Sequence, residues 1–355
     1  MRSLFVALVL ASLVCCSAAT SNSSSLRAEN RAHDSRAAIA EVMRQLYGAL
    51  EQGDAGSLES LITDDAFVFG LEPADTWQGA MVVGERLKQK WSLLRQAGVE
   101  LRVEDSLVRV GLDSTGQAGW AFDLPRVTAL RQGRSTQWIP RVSAHLIAQD
   151  GAFRIDALHI SLPVPDEIVL APAASKRLLA PADVAQQIAP EAEQLATVVQ
   201  QSLEDFGGKI ERVIARDEFV QMGTAAAEIF VGGREFKRMI RPQLPSIRRA
   251  GYQWQLEGNL RVKLAPDRKS GWAAAVVLQS SQEGKTQKSY PPMRFFWTWV
   301  LEDAGWKLSS EHQSLPLPID KASPASERDL AIWRALRDRN IKQSPTIERP
   351  NIGAW

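Results

Sequence analysis

The sequence predicts an α+β chain made of two copies of one small unit, and three observations lead there. Residues 153–165 (FRIDALHISLPVP) match residues 306–318 (WKLSSEHQSLPLP) at a shift of 153. Each copy places amphipathic helical segments before a run of strand-like segments, the order of an α+β domain. The chain is 355 residues long, 45% hydrophobic and 23% charged, which is the balance of packed globular domains and allows two or three of them.

The self-match runs well beyond its strongest segment. The same shift pairs Asp64 with Asp217, Gly70 with Gly223, Asp75 with Glu228, Trp77 with Phe230, Gly79 with Gly232, Ala97-Gly98 with Ala250-Gly251, and Arg141 with Arg294. After a one-residue gap, Gly119-Trp120 aligns with Gly271-Trp272. Recurrence within one chain speaks for shared architecture and does not mark any residue as catalytic.

Taken in order, residues 1–19 read as an export signal: Arg2, the apolar run Leu4 to Val14, and the small residues Ser17-Ala18-Ala19. That run is shorter than the roughly 20 apolar residues needed to span a bilayer. Both cysteines, Cys15 and Cys16, fall here, and a lipid anchor on one of them is the alternative to cleavage after Ala19. The expected location is therefore export, periplasmic or secreted, with a membrane-anchored lipoprotein as the alternative. Cleavage would leave no cysteine for a disulfide, a thiolate metal site or a nucleophile.

A flexible leader is expected over residues 20–34, and the first unit over 35–166. Its elements are a helix at 38–51 with Ile39, Val42, Met43, Leu46 and Leu50 at helical spacing, a short strand at 66–70, and a helix at 79–96 closed by Gly98. Four strands follow at 100–110, 117–130, 136–149 and 152–162, separated by Gly- and Asp-rich turns. A Pro- and Ala-rich linker at 167–181 leads to the second unit, 182–320, with its helices at 192–204 and 232–249 and its first strand at 219–223. Residues 321–355 read as a surface-docked helix and a tail.

The pattern G-x-x-x-x-(D/E)-x-(W/F)-x-G between the first strand and second helix, with (F/W)-(R/K)-(I/L)-x-x-x-H-x-S-x-P closing the last strand, resembles the nuclear transport factor 2-like superfamily, in its SnoaL-like branch. The resemblance rests on Gly70, Asp75, Trp77, Gly79, Phe153, His159 and Ser161, and on Gly223, Glu228, Phe230, Gly232, Trp306, His312 and Ser314. It implies two cone-shaped rolls, each with N-terminal helices packed on a strongly bent, mostly antiparallel sheet and a pocket at the open end. That superfamily holds isomerases, dehydratases and cyclases beside non-catalytic binding modules, so function stays open.

The candidate pocket residues are His159, Ser161, Arg141 and Trp77, with His312, Ser314, Arg294 and Phe230 in the second copy. Strict strand alternation puts Phe153, Ile155, Ala157, His159 and Ser161 on one face, with the histidine and serine toward the cone interior. A histidine there could donate a hydrogen bond or act as general base, or be a satisfied core residue. His159 and Ser161 stand about 6.6 Å apart along a strand, too far for a nucleophile and base, which need roughly 3 Å. Each arginine could meet an anionic ligand, pair with Asp75 or Glu228, or face solvent. Asp75 and Glu228 suit a helix N-terminus, and Trp77, Phe230, Trp120 and Trp272 suit a core. Only the first copy adds His145 and Asp156, where the second has Thr298 and Ser309.

Metalloprotease, lipase-type, phosphate-loop, C-x-x-C and calcium-loop patterns are all missing from the sequence. With four histidines, no metal site or other cofactor is expected. A net charge of +1 with no basic run gives no reason to expect nucleic acid as a partner. The leading expectation is a non-catalytic binding module for a small apolar or amphipathic ligand, or for a protein partner, in the cell envelope. An acid–base enzyme in the first cone, using His159 or His145 with Asp156, is the alternative, and an intrachain pseudo-dimer is a third, structural reading.

Overall fold

A computed structural model describes residues 30–104, 108–164, 168, 188–204, 212–215, 219–224, 228–283, 286–316 and parts of 324–334. The expected export signal, both cysteines, the expected linker at 167–181 apart from residue 168, and the terminal tail lie outside the described residues. None of the described helices is long and apolar enough to cross a membrane.

The first unit opens with helix α1 (30–52), which begins before the expected boundary at Ser35. Its first turns are polar and carry no apolar period, but nothing in them breaks a helix either. Ile39, Met43 and Leu46 are fully buried on its inner face. Then come α2 (Ala55–Leu61), capped by the Asp54 carboxylate on the Ser57 amide, β1 (Ile62–Phe69), β2 (Thr76–Gln78) and α3 (Ala80–Gln96). Strands β3 (Val99–Glu104), β4 (Arg109–Leu112), β5 (Ala118–Asp123), β6 (Arg126–Arg131), β7 (Arg134–Trp138), β8 (Arg141–Gln149) and β9 (Ala152–Ser161) follow. The main sheet runs β2-β1-β9-β8-β5-β4, antiparallel except for β1 beside β9, and wraps the helices.

The second unit has α4 (Glu193–Glu204), β10 (Val220–Met222), β11 (Ile229–Val231), α5 (Gly233–Ile240), α6 (Leu244–Arg249), β12 (Gln253–Leu264), β13 (Ser270–Glu283), β14 (Thr286–Ser289), β15 (Met293–Glu302) and β16 (Gly305–Ser314). Its sheet order, β11-β10-β16-β15-β13-β12, repeats the first element for element, including the parallel pair β10 and β16.

Four expected elements are split: 100–110 becomes β3 and β4 in different sheets, 136–149 becomes β7 and β8 in different sheets on either side of Pro140, and the other two also break at proline. The segment 117–130 is two strands in different sheets: Pro125 has no N–H for the ladder, and the chain turns there into a separate sheet, β3-β6-β7. The second copy carries no proline at the matching point, and β13 runs unbroken. The helix expected at 232–249 is likewise split into α5 and α6, around Pro242 and Pro245.

Gly119 and Gly271 occupy matching places where two strands nearly touch. A Cβ at Gly119 would lie 2.5 Å from the Gly111 carbonyl, and one at Gly271 2.6 Å from the Lys263 carbonyl, so neither position admits a side chain.

The two sheets pack face to face. Phe67, Phe69 and Ala157 of the first form one apolar cluster with Trp272, Ala274 and Phe296 of the second, and Phe122 and Leu124 meet Val220 and Met222 in another. Each unit keeps its own core on the opposite, concave face. The C-terminal segment returns to the first unit: Trp333 is buried, donates to the Leu124 carbonyl at 2.9 Å, and lies under the Arg126 guanidinium at 4.4 Å.

Candidate functional site

His159 and His312 meet at the centre of the packed sheets. Their rings stack with centroids 3.8 Å apart, and neither has any exposure. Each is held by the serine of the other copy: His159 Nε2 lies 2.8 Å from Ser314 Oγ, and His312 Nε2 lies 2.7 Å from Ser161 Oγ. His312 Nδ1 has a further partner in Ser143 Oγ at 2.8 Å. The second copy has Phe296 where the first has Ser143, so His159 Nδ1 is buried without a hydrogen-bond partner. Burial holds both imidazoles well below the usual histidine pKa; His312 and Arg294 add to this at His159, and Arg141 at His312.

The arginines lock the same seam. Arg294 donates to the carbonyls of Gly70 (2.9 Å) and Pro73 (2.7 Å) of the other unit and lies over the Phe69 ring at 4.9 Å, while Arg141 donates to the Gly223 carbonyl. Burial lowers the Arg294 pKa to about 10, against the opposing pull of Asp75, and it stays charged at neutral pH.

This placement reverses the expected orientation of His159, Ser161, His312 and Ser314, and a β-bulge is the reason. The β8–β9 register steps from His145 opposite Ala157 to Leu146 opposite Ile155, so Asp156 is an extra residue in β9. From there on, Leu158 and Ile160 face the cone while Ala157, His159 and Ser161 face the other sheet. The β15–β16 register slips at the matching place, with Ser309 as the extra residue.

Asp156 itself is fully buried in the seam. It accepts from Trp272 Nε1 at 2.7 Å and from Lys263 Nζ, and its Oδ2 lies 3.5 Å from His145 Nδ1. Burial acts to raise its pKa, but His145 and Lys263 outweigh that and bring it to about 2. Ser270 Oγ, 3.4 Å from His145 Nε2, completes the order serine, imidazole, carboxylate, yet none of the three has any exposure. No substrate could reach them. The first-cone acid–base reading needed His159 or His145 open to the cone, and both instead face the second sheet.

Of the eight expected pocket residues, only Trp77 and Phe230 lie on the concave faces. The structure reveals a different polar site there. Across the second sheet one row reads Phe230, Gln221, Glu311, Trp297, Ala273 and Val262, and the matching row of the first reads Trp77, Val68, Leu158, Ala144, Ala121 and Val110. Glu311 is 3% exposed, accepts from Gln221 Nε2 at 2.8 Å and Gln313 Nε2 at 2.5 Å on one oxygen, and from Trp297 Nε1 at 3.0 Å on the other. Burial raises its pKa despite these three bonds. Gln313 is half-buried, so the polar strip runs from a residue that touches solvent to one that does not.

The signal for this strip was in the sequence. At the shift of 153, Val68, Leu158 and Ile160 pair with Gln221, Glu311 and Gln313, three apolar-to-polar exchanges on one surface. Elsewhere, a cavity of about 310 Å³ beside Glu51, Trp91 and Arg95 gathers none of the expected residues. No group of three His, Cys, Asp or Glu among the described residues could hold a metal ion.

Residues 39–165 match a family model described as a SnoaL-like domain. No curated protein matches the chain. Similar solved structures include a nuclear transport factor 2-like protein with a cystatin-like fold from Novosphingobium aromaticivorans (17% identity, 44% of this chain and 95% of that one, TM-score 0.35). Others are a nuclear transport factor 2-like protein from Pseudomonas putida (12%, 43% and 98%, 0.31) and a cystatin-like-fold protein from Caulobacter vibrioides (12%, 38% and 93%, 0.32). With its helices held in a bent sheet of this order, the first unit of the chain, residues 39–165, is a SnoaL-like domain.

Proposed function

We propose that this chain is an exported, non-catalytic binding protein in which two SnoaL-like units are fused into a pseudo-dimer, and that the second cone takes a small apolar or amphipathic molecule. One observation carries the reading: the concave row that is apolar in the first unit holds Gln221 and Glu311 in the second, with Gln313 beside them. Pockets for small molecules are mostly apolar with a few converging polar groups, and a buried, perturbed carboxyl is a recurrent mark of such a site. The histidines are taken up by the seam, which argues against an imidazole acid or base in either cone. The signal-like pattern of residues 1–19 supports a role outside the cytoplasm.

The test rebuilds the second floor as the first: Gln221→Val, Glu311→Leu and Gln313→Ile together. Amphipathic compounds are screened by quenching of tryptophan fluorescence, and Trp254, Trp297, Trp299 and Trp306 all belong to or pack on the second core. Hits on the wild type should be recovered chemically unchanged, and their affinity should fall at least tenfold in the rebuilt chain. Unchanged affinity in a rebuilt chain that still melts cooperatively would refute the assignment. Should the triple variant not fold, Gln313→Ile at the half-buried end serves instead, with a smaller loss expected.

A further inference from the structure

We propose that the second cone selects a ligand that carries a positive charge, an organic ammonium with an aromatic or apolar body, seated against Glu311. This rests on the second cone being the binding cavity, and adds the chemistry of what it takes.

The chain contains an internal comparison. Another enclosed carboxylate, Asp156, has Lys263 on one oxygen and an imidazole near the other. Glu311 is as well enclosed, yet its three partners are two neutral amides and an indole. The cations on the elements around it are engaged elsewhere: Arg294 and His312 point into the seam, Lys307 donates to the Arg212 carbonyl, and Lys237 to the Ile214 carbonyl. Among the described residues, no lysine, arginine or histidine contacts its carboxyl group.

Three donors aimed at two carboxyl oxygens suit the ionised form, while the enclosure opposes it. A bound cation resolves that conflict by supplying the missing counter-charge. The surroundings suit an organic cation in particular. Trp297 stacks on Phe295 at 5.1 Å, Trp254 packs on Phe295 at 5.4 Å, and Phe219 and Phe230 belong to the same concave surface. Aromatic faces attract cations, most strongly where water is excluded. An anionic ligand would instead meet Glu311 with like charge, and a neutral one would leave it uncompensated.

The experiment uses the full chain and three probes of similar shape: benzyltrimethylammonium, its neutral carbon analogue neopentylbenzene, and the anion phenylacetate. Binding is read by tryptophan quenching and calorimetry at neutral pH. The ammonium should bind at least tenfold more tightly than neopentylbenzene, and phenylacetate should not bind. Glu311→Gln, close in shape to the native residue, should remove the preference by weakening the ammonium at least tenfold more than it weakens neopentylbenzene. Equal binding of the ammonium and its neutral analogue, with both lost in the rebuilt floor, would overturn the charge selectivity and leave the second cone as the binding cavity. No binding of the ammonium, or an affinity for it that Glu311→Gln leaves unchanged, would also overturn the inference. The compound screen against the rebuilt floor then judges the cavity separately.

Discussion

Acidification from pH 6.5 to pH 5 is expected to remove on the order of 3 kcal/mol of stability and to open the seam between the two sheets. His159 and His312 stack at 3.8 Å with no exposure, and both are held well below the ordinary histidine pKa. Folded, they stay neutral; unfolded, each takes up a proton near pH 6.5. The unfolded chain therefore binds more protons as the pH falls, so stability is full above about pH 6.5 and declines below it. The slope is about 1.4 kcal/mol per pH unit for each histidine, or about 2.7 for the pair. Asp156, held at about 2, has the opposite habit of a lowered carboxylate: its contribution is present above its unfolded pKa and fades only as the pH falls from 3.8 toward 2. It leaves the histidine window clear. Glu311, raised by burial, costs stability as the pH climbs above its unfolded value, and the Glu311→Gln background removes that contribution. Urea denaturation across pH 4.5–7.5 measures the effect. A flat midpoint between pH 6.5 and 5 would show that the histidines do not govern the seam.

Arg294→Ala is expected to cost about 3–5 kcal/mol, the range for breaking a buried, hydrogen-bonded charge site. The guanidinium donates to two carbonyls of the first unit and to Thr76 Oγ1 at 3.3 Å, and it covers the face of Phe69. Truncation strands the buried Gly70 carbonyl, at about 1–3 kcal/mol, loses the part-buried bond to Pro73, and opens a void against Phe69. Arg294→Lys should recover only part of the loss, because an ammonium cannot fork to two separate carbonyls. Arg141 makes the matching reach to Gly223, so Arg141→Ala should act in the same direction. Their double variant should depart from additivity, since both hold one seam. Chemical denaturation followed by tryptophan fluorescence decides this, and an unchanged midpoint for Arg294→Ala would contradict it.

Much of the architecture could be read from residues alone. Ile39, Met43 and Leu46 announced the buried face of α1, and Gly98 and Gly251 marked helix ends that the structure reproduces with positive φ. The shift of 153 foretold two sheets of one order. Pro125, Pro242 and Pro245 were visible as well, but whether a proline ends an element or only bends it depends on what the chain packs against next. Pro125 became a corner into a second sheet because β3 and β7 were there to pair with β6.

The candidate site was legible in its parts and not in its arrangement. The internal match alone pairs His159-x-Ser161 with His312-x-Ser314 and Arg141 with Arg294, and puts Glu311 in the place of Leu158. Which face each one occupies was decided only by tertiary structure. A bulge is a property of two paired strands, one residue opposite none, and nothing in a single strand's alternation records it. One extra residue at Asp156, and its counterpart at Ser309, sent the histidines into the seam and Glu311 into the cone. The docking of the sheets then turned what one unit alone would expose into a buried polar cluster.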